Sequence, residues 1–388
     1  MKNFYACIAV MLLLAGCAGH STPGGGYVLS PSFRDLSPAT MQNLILNPST
    51  AESEPESDLI WYDARYLTIE GKGWEDTQRF YERLPARAEN MVPEAVWNLS
   101  KHTAGICVRF MTDSKSVGAI WDGGGAMYHM ASTANSGLDL YEQKQGKWKF
   151  VGVSRPKETR SLSVMRKNGP GEMTHYLLYL PLYNDVTELM IGVDPNASLL
   201  PAPERNRGDN LPIVFYGTSI TQGGCAARCG MCHAALLGRW LDREVINLGF
   251  SGAGKMEPEL AELVSELDAG VYVFECVPNR TTEMVKERVE PFIKFVRGEH
   301  PATPILLVEN PINAATNPGN AELRKIYAKL LSEGVAELYY LKGEPQWAAP
   351  ENETVDGSHP TDLGFYRMAS VYLPVMQDIL EIEGRRID

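Results

Sequence analysis

Three residues of this chain have the types needed for nucleophilic chemistry and stand in segments that a fold could bring together: Ser219, Asp356 and His359. Ser219 lies in Tyr216-Gly217-Thr218-Ser219-Ile220-Thr221-Gln222-Gly223-Gly224, directly behind the apolar run Pro212-Ile213-Val214-Phe215. A small hydroxyl residue between glycines, where a buried strand ends, sits at the sheet edge where α/β proteins hold their ligands. Alone, a Gly-Thr-Ser turn is more often only a turn, so its weight depends on partners. Asp356-Gly357-Ser358-His359-Pro360 supplies them. A carboxylate three residues before a histidine, on one tight loop, can orient the imidazole and stabilise its protonated form. That imidazole can take the serine proton and later return it to a leaving group. Two further segments offer donors for a developing oxyanion. The glycine cluster Asn247-Leu248-Gly249-Phe250-Ser251-Gly252-Ala253-Gly254 exposes backbone N–H groups and lacks the Lys-Ser/Thr ending of a phosphate-binding loop. In Val277-Pro278-Asn279 the proline stops a strand and leaves the Asn279 amide as a fixed donor, although an asparagine after a proline is ordinarily a turn residue.

The elements that would position these groups are legible as alternating strands and helices from Pro212 onward. Apolar runs predict strands over 212–216, 244–248, 270–276, 304–309 and 335–341. Helical periodicity covers 230–242, 257–268, 281–299, 318–333 and 361–382. That alternation implies a parallel sheet with helices on both faces. From Leu59 to Pro195 the pattern is instead one of short alternating strands, such as Gly105–Phe110 and Leu177–Leu180, separated by turn clusters, which implies an all-β sandwich or jelly roll. Five of seven tryptophans lie in that half (Trp61, Trp74, Trp97, Trp121 and Trp148), and most are expected in its core. The polar, proline-punctuated stretch Pro201–Pro212 divides the two halves.

The four segments, in this order, resemble the blocks of the SGNH hydrolases of the GDSL-like esterase/lipase superfamily, with Ser219, Gly252, Asn279 and His359 at the naming positions. Gly137-Leu138-Asp139-Leu140-Tyr141 further resembles the GxDLY motif of a branch with an N-terminal β domain. The resemblance covers about residues 60–385. It implies a flavodoxin-like α/β hydrolase domain and ester hydrolysis without cofactor or metal. It also implies Ser219 as nucleophile, His359 as acid/base, Asp356 as its orienter, and an oxyanion hole from the Ser219 and Gly252 N–H groups and the Asn279 side chain. Two positions depart from the usual pattern: Thr218 replaces the aspartate before the serine, and Val277-Pro278-Asn279-Arg280 replaces the Gly-x-Asn-Asp block. Neither removes a catalytic group. Thr221 at the second glycine position sets the motif apart from the Gly-x-Ser-x-Gly elbow of α/β-hydrolases.

The N-terminus bears on location. Lys2 precedes the apolar segment Ile8–Leu14, too short to span a bilayer, and Leu14-Ala15-Gly16-Cys17 resembles the lipobox of bacterial lipoprotein signals. The expected organisation is a signal peptide over 1–16, a lipidated tether and extension over 17–58, a GxDLY-like β-sandwich domain over 59–200 and a hydrolase domain over 201–388. The protein is then exported and lipid-anchored at Cys17 to a bacterial envelope membrane, its only membrane contact. A formal charge of −12 in 388 residues argues against nucleic acid as a partner. With Cys7 lost and Cys17 lipidated, Cys107, Cys225, Cys229, Cys232 and Cys276 remain. The spacing Cys225-x-x-x-Cys229-x-x-Cys232 is that of an iron–sulfur site, and zinc is an alternative, but an oxidising compartment favours disulfides. Cys225 with Cys276 is the expected bridge, with Cys229–Cys232 the local alternative.

Export and an appended sandwich point to a polymer or glycan substrate, and the resemblance to carbohydrate esterases with such domains implies removal of O-acetyl or other short acyl groups from carbohydrate or polysaccharide, with Trp347, Glu275 and His129 as candidate pocket walls. The alternatives are a lysophospholipase or thioesterase acting on small esters with the same residues, or a silent glycan-binding lipoprotein.

Overall fold

The computed structural model describes residue 42 and residues 44–157, 159–205 and 210–382. The expected signal peptide, the lipidation site at Cys17 and most of the tether lie outside the described residues.

The C-terminal half is built on five parallel strands: β1 (Ile213–Gly217), β2 (Val245–Gly249), β3 (Val271–Glu275), β4 (Ile305–Val308) and β5 (Leu338–Leu341). Their order across the sheet is β2-β1-β3-β4-β5, the flavodoxin-like arrangement. The crossovers carry the helices α1 (Ser219–Gln222), α2 (His233–Leu241), α3 (Pro258–Val264), α4 (Thr282–Glu299) and α5 (Pro318–Ser332), and α6 (Asp362–Ile379) follows β5. Alternation along the strands divides the core. Val214, Tyr216, Ile246, Leu248, Tyr272 and Phe274 point to the face covered by α3, α4 and α5. Ile213, Phe215, Val271 and Val273 point to the face covered by α2 and α6. Both faces are buried, which is why these strands read as continuous apolar runs rather than alternating ones. Register pairs Gly217 with Gly249 on one side and with Glu275 on the other. The loops after β1, β2 and β3 therefore open side by side at one sheet edge, above the strand-order reversal where such sheets bind ligands.

The N-terminal half consists of two antiparallel sheets. One contains residues 52–53, 60–63, 189–193, 117–122 and 160–166 in that spatial order. The other runs 199–201, 107–112, 174–179, 139–144 and 147–153, with 68–70 also beside 107–112. Tyr62, Val108, Phe110, Ala119, Trp121, Tyr176, Leu178 and Ile191 interdigitate between the sheets. Trp61 and Trp121 are fully buried, and Trp74 and Trp97 nearly so, in line with core roles.

The two halves share a core. Trp74, Leu84, Ala88, Val92, Val96 and Trp97, from the segment before residue 107, pack on the same side of the parallel sheet as α3–α5. Tyr141, Leu177, Tyr179 and Leu182 join the opposite side with α2 and α6. Polar ties reinforce this. Arg205 bonds Glu70 in one half and the Asp242 carbonyl and carboxylate in the other, and the Trp74 indole N–H donates to Glu266 at 2.7 Å. The Arg83 guanidinium is fully buried and donates to the carbonyls of Leu99, His102, Asn247 and Gly249. Burial pushes it down to about 9. Among the described residues, no helix is long and apolar enough to cross a membrane.

Candidate active site

Ser219 begins α1, and the sequence explains the turn. Thr218 is the N-cap, its hydroxyl accepting from the Ile220 N–H at 3.3 Å, while Thr221 Oγ1 accepts from the Thr218 N–H at 3.1 Å. This reciprocal pairing satisfies two donors that a helix start leaves open. Gly217 is required by contact rather than by dihedral angle: a Cβ there would stand 1.9 Å from Thr221 Oγ1. Thr221 in turn donates to Glu275 at 2.8 Å. Glu275, expected as a pocket wall, is instead a buried anchor beneath the Ser219 turn, also bonded to the His233 ring at 3.0 Å and to the Tyr372 hydroxyl. Burial works to raise its carboxyl, and the pairing with His233 and the bonds from Tyr372 and Thr221 bring it below the ordinary value. Fully engaged there, it has no free oxygen to offer a substrate.

The loop before α6 folds around Asp356. Its Oδ1 accepts from the Ser358 and His359 N–H groups at 2.9 and 2.8 Å, and its Oδ2 lies 2.8 Å from His359 Nδ1. His359 Nε2 lies 2.9 Å from Ser219 Oγ. Burial acts to raise the Asp356 carboxyl, but the hydrogen bonds from the His359 ring and the two amides outweigh it and hold the group at about 2. The structure thus brings Ser219, His359 and Asp356 into one continuous hydrogen-bonded line across 140 residues of sequence. Such a line can deprotonate a hydroxyl and stabilise the imidazolium that results.

Gly252 and Asn279 stand at the neighbouring strand ends. Gly252 has φ +70°, is exposed, and would meet nothing with an added Cβ, so its backbone faces open space. The Asn279 amide Nδ2 lies 3.5 Å from the Phe250 carbonyl in the same loop. The loop is held from below by Gln222, whose Oε1 accepts from the Ser251 N–H at 3.0 Å, and by Arg83 through the Asn247 and Gly249 carbonyls.

The β half reaches this site, which the sequence indicated only through His129. The His129 ring meets the His359 ring edge-on with centroids 5.7 Å apart, and the Tyr128 ring beside it is fully exposed. Tyr183 and His102 were not foreseen. The Tyr183 hydroxyl donates to the Ser219 carbonyl at 3.2 Å, and His102 Nδ1 lies 3.1 Å from Gln222 Nε2. Burial and the nearby Arg83 charge hold the His102 ring down at about 4. The buried Asp139 of the GxDLY motif accepts from Arg228 at 2.8 Å, from the Gly230 N–H and from Tyr141, so the motif braces the segment that follows Ser219 and α1. Trp347, expected as a pocket wall, is 5% exposed and packs in the core with α2 and α6.

The cysteine pairing is also corrected. All five cysteines of the described residues are buried free thiols. Cys276 follows Glu275 and so points to the opposite face, its thiol donating to the Tyr216 carbonyl at 3.5 Å, away from Cys225. The thiols of Cys229 and Cys232 likewise turn to backbone carbonyls, those of Gly137 and Cys229. Neither the expected bridge nor its local alternative forms, and the three closely spaced cysteines do not converge as an iron–sulfur or zinc set.

A family model described as GDSL-like lipase/acylhydrolase matches residues 210–377, and one described as the N-terminus of the SGNH-hydrolase-type esterases matches residues 59–199. Among solved structures, the chain is similar to one from Bacteroides ovatus designated a GDSL-like lipase. The two share 32% identity over 84% of this chain and 100% of that one, with a TM-score of 0.79. A salicylyl-acyltransferase from a tetracycline biosynthetic pathway shares the fold at 17% identity, 85% and 99% coverage and a TM-score of 0.67. So does a family two carbohydrate esterase from Clostridium thermocellum, solved with cellohexaose, at 15% identity, 72% and 93% coverage and a TM-score of 0.53. No curated protein matches the chain.

Proposed function

The chain belongs to the GDSL-like lipase/acylhydrolase family and is an ester hydrolase, and on that premise we propose that it removes O-acetyl and other short acyl groups from carbohydrates through an acyl-serine at Ser219. The observation that carries the chemical part is the unbroken line Ser219 Oγ–His359 Nε2–His359 Nδ1–Asp356 Oδ2, at 2.9 and 2.8 Å.

In this reading His359 Nε2 takes the hydroxyl proton as Ser219 Oγ bonds to the ester carbonyl carbon. The Ser219 and Gly252 N–H groups and the Asn279 amide receive the negative charge that develops on the carbonyl oxygen. The imidazolium, stabilised by Asp356, then gives its proton to the departing sugar oxygen, and the acyl group stays on Ser219. A water molecule repeats the sequence in reverse roles, and the carboxylic acid leaves.

The carbohydrate part is supported by the mouth of the site. The exposed Tyr128 ring and the neighbouring His129 give it an aromatic lip of the kind on which sugar rings pack. The shared fold with a carbohydrate esterase makes acylated glycans the first substrates to try. Export and a lipid anchor at Cys17 belong to the same proposal.

Acetate release from a panel of acetylated polysaccharides, by the chain and by its Ser219→Ala variant, tests the reading. Release by the parent alone is expected. Silence on every glycan together with hydrolysis of a small acetyl ester would transfer the activity to small acyl substrates. The pH profile is a separate check. A protonated His359 has no lone pair for the serine proton, so kcat/KM falls as pH drops. Asp356, held at about 2, remains ionised throughout that fall. The acid limb should therefore follow a single ionisation, with a slope of one against pH, and a slope of two would contradict the assignment of Asp356.

A further inference from the structure

Among the described residues, one group of three metal-ligating side chains lies close enough to share an ion: His129, Cys225 and His359, with ligand atoms all within 4.8 Å of one another. They come from three separate segments, the β-half loop after residue 122, the turn after α1 and the loop before α6. We infer that these residues bind a thiophilic divalent ion, zinc foremost, and that its occupancy switches the esterase off reversibly.

The donor set has the chemistry of a zinc site with an open position: two imidazoles and one thiolate, leaving a fourth place for water. Zinc bonds of about 2.0–2.3 Å in tetrahedral array put ligand atoms about 3.5 Å apart. The three ligand atoms, all within 4.8 Å of one another, must close by roughly 1 Å to meet that spacing. Each ligand is available. His359 commits Nδ1 to Asp356, so the ion would take Nε2 in exchange for its bond to Ser219 Oγ, and a carboxylate behind a ligating histidine is the usual outer-shell arrangement at zinc. His129 keeps a buried Nδ1 without a protein partner, so its ring is free to be recruited. Cys225 differs from Cys229, Cys232 and Cys276, whose thiols are taken by backbone carbonyls.

Inhibition follows from the shared atom. His359 Nε2 carries the lone pair that receives the Ser219 proton, so an ion bonded there leaves the serine without a base. On binding, the Cys225 thiol proton is released to solvent, both histidines bind neutral, and nothing is oxidised or reduced. The inhibitory consequence rests on the proposed role of His359, whereas the binding itself does not.

The test uses the full chain with Co2+ as a spectroscopic probe and Zn2+ as the inhibitor. Co2+ should give a thiolate-to-metal absorption band in the near ultraviolet in the parent and in Ser219→Ala. The band should be lost in Cys225→Ala. Zn2+ should abolish hydrolysis of a small acetyl ester at one equivalent, with recovery on adding a chelator. Cys225→Ala should keep parental turnover within about threefold and need at least about tenfold more zinc for half-inhibition. Absence of the band in the parent, or unchanged zinc inhibition in Cys225→Ala, overturns the proposal. A band that forms and depends on Cys225 while zinc leaves hydrolysis by the parent unchanged would uphold the metal site and refute the inhibitory switch, and with it the proposed role of His359.

Discussion

Ser219→Ala should leave a folded protein whose ester turnover is lower by about 10⁴- to 10⁶-fold, with KM little changed. The size follows from the number of roles the proposed mechanism places on one atom: there Oγ is the group that bonds the acyl carbon, and its removal leaves His359 with no proton to take. The fold should be indifferent, because Oγ bonds only the His359 ring, while the turn is held by Thr218, Thr221 and the tight contacts at Gly217. Thermal midpoints should therefore agree to within what ~0.5 kcal/mol produces. Turnover within tenfold of the parent would remove Ser219 from the mechanism. A large loss of stability would instead make the kinetic result uninformative, and Ser219→Cys would then be the variant to compare.

Arg83→Met is expected to be the most damaging single change away from the nucleophile. The guanidinium is fully buried and donates to four carbonyls in both halves of the molecule, without a carboxylate among them. Methionine fills part of the volume and leaves those carbonyls facing an apolar side chain, and it also forfeits the Phe250 ring 4.8 Å beneath the charge. Allowing about 1–3 kcal/mol for each buried acceptor stranded, and some relaxation, the loss should be about 3–5 kcal/mol in urea unfolding. Two of the four carbonyls belong to Asn247 and Gly249, which lead into the loop carrying Gly252. Where the protein still folds, kcat should accordingly fall more than KM rises. Arg83→Lys should recover charge but not the fork of donors, and so only part of both effects. A variant as stable and active as the parent would show that the guanidinium is not what holds the loop.

The parts of the fold that were legible in the sequence are those set by local chain chemistry. The apolar run Ile213–Phe215, its successors and the intervening helical periodicities mark the five parallel strands and the helices α2–α6, because each of these is buried on a face wide enough to print its period, whereas the four-residue α1 at Ser219 is too short to show one. Asp356 and His359 were legible for the same reason: three residues on one loop fix their relation without help from the rest of the chain. Partnerships across distance left no such mark. Glu275 resembled a pocket carboxylate because a charge at a strand end usually meets solvent, and its burial depends on His233 and Tyr372, 42 and 97 residues away. Cys225 and Cys276 follow neighbouring strands, but a strand buried on both faces does not disclose which way its last residue points. Arg83, Tyr183 and His102 lie in the β half and act on the hydrolase half, and nothing near them in sequence names their acceptors. The Thr218–Thr221 pair was the one overlooked feature with a local signal, that of a helix start with reciprocal capping.

The shared core also bears on inheritance. Trp74, Leu84, Val92, Val96 and Trp97 are numbered with the β half but cover the parallel sheet. A recombination event that joined a new N-terminal domain at Pro201 would strip that cover and expose the apolar face beneath. The unit that can be exchanged between relatives is consequently larger than the hydrolase segment, and it begins before residue 74. Chimeras that respect that boundary should express as soluble protein, whereas those cut at the linker should aggregate. Changes of substrate range by exchange of parts are then best sought in the exposed loops near His359, the Tyr128–His129 loop first, which can be replaced without disturbing the common interior.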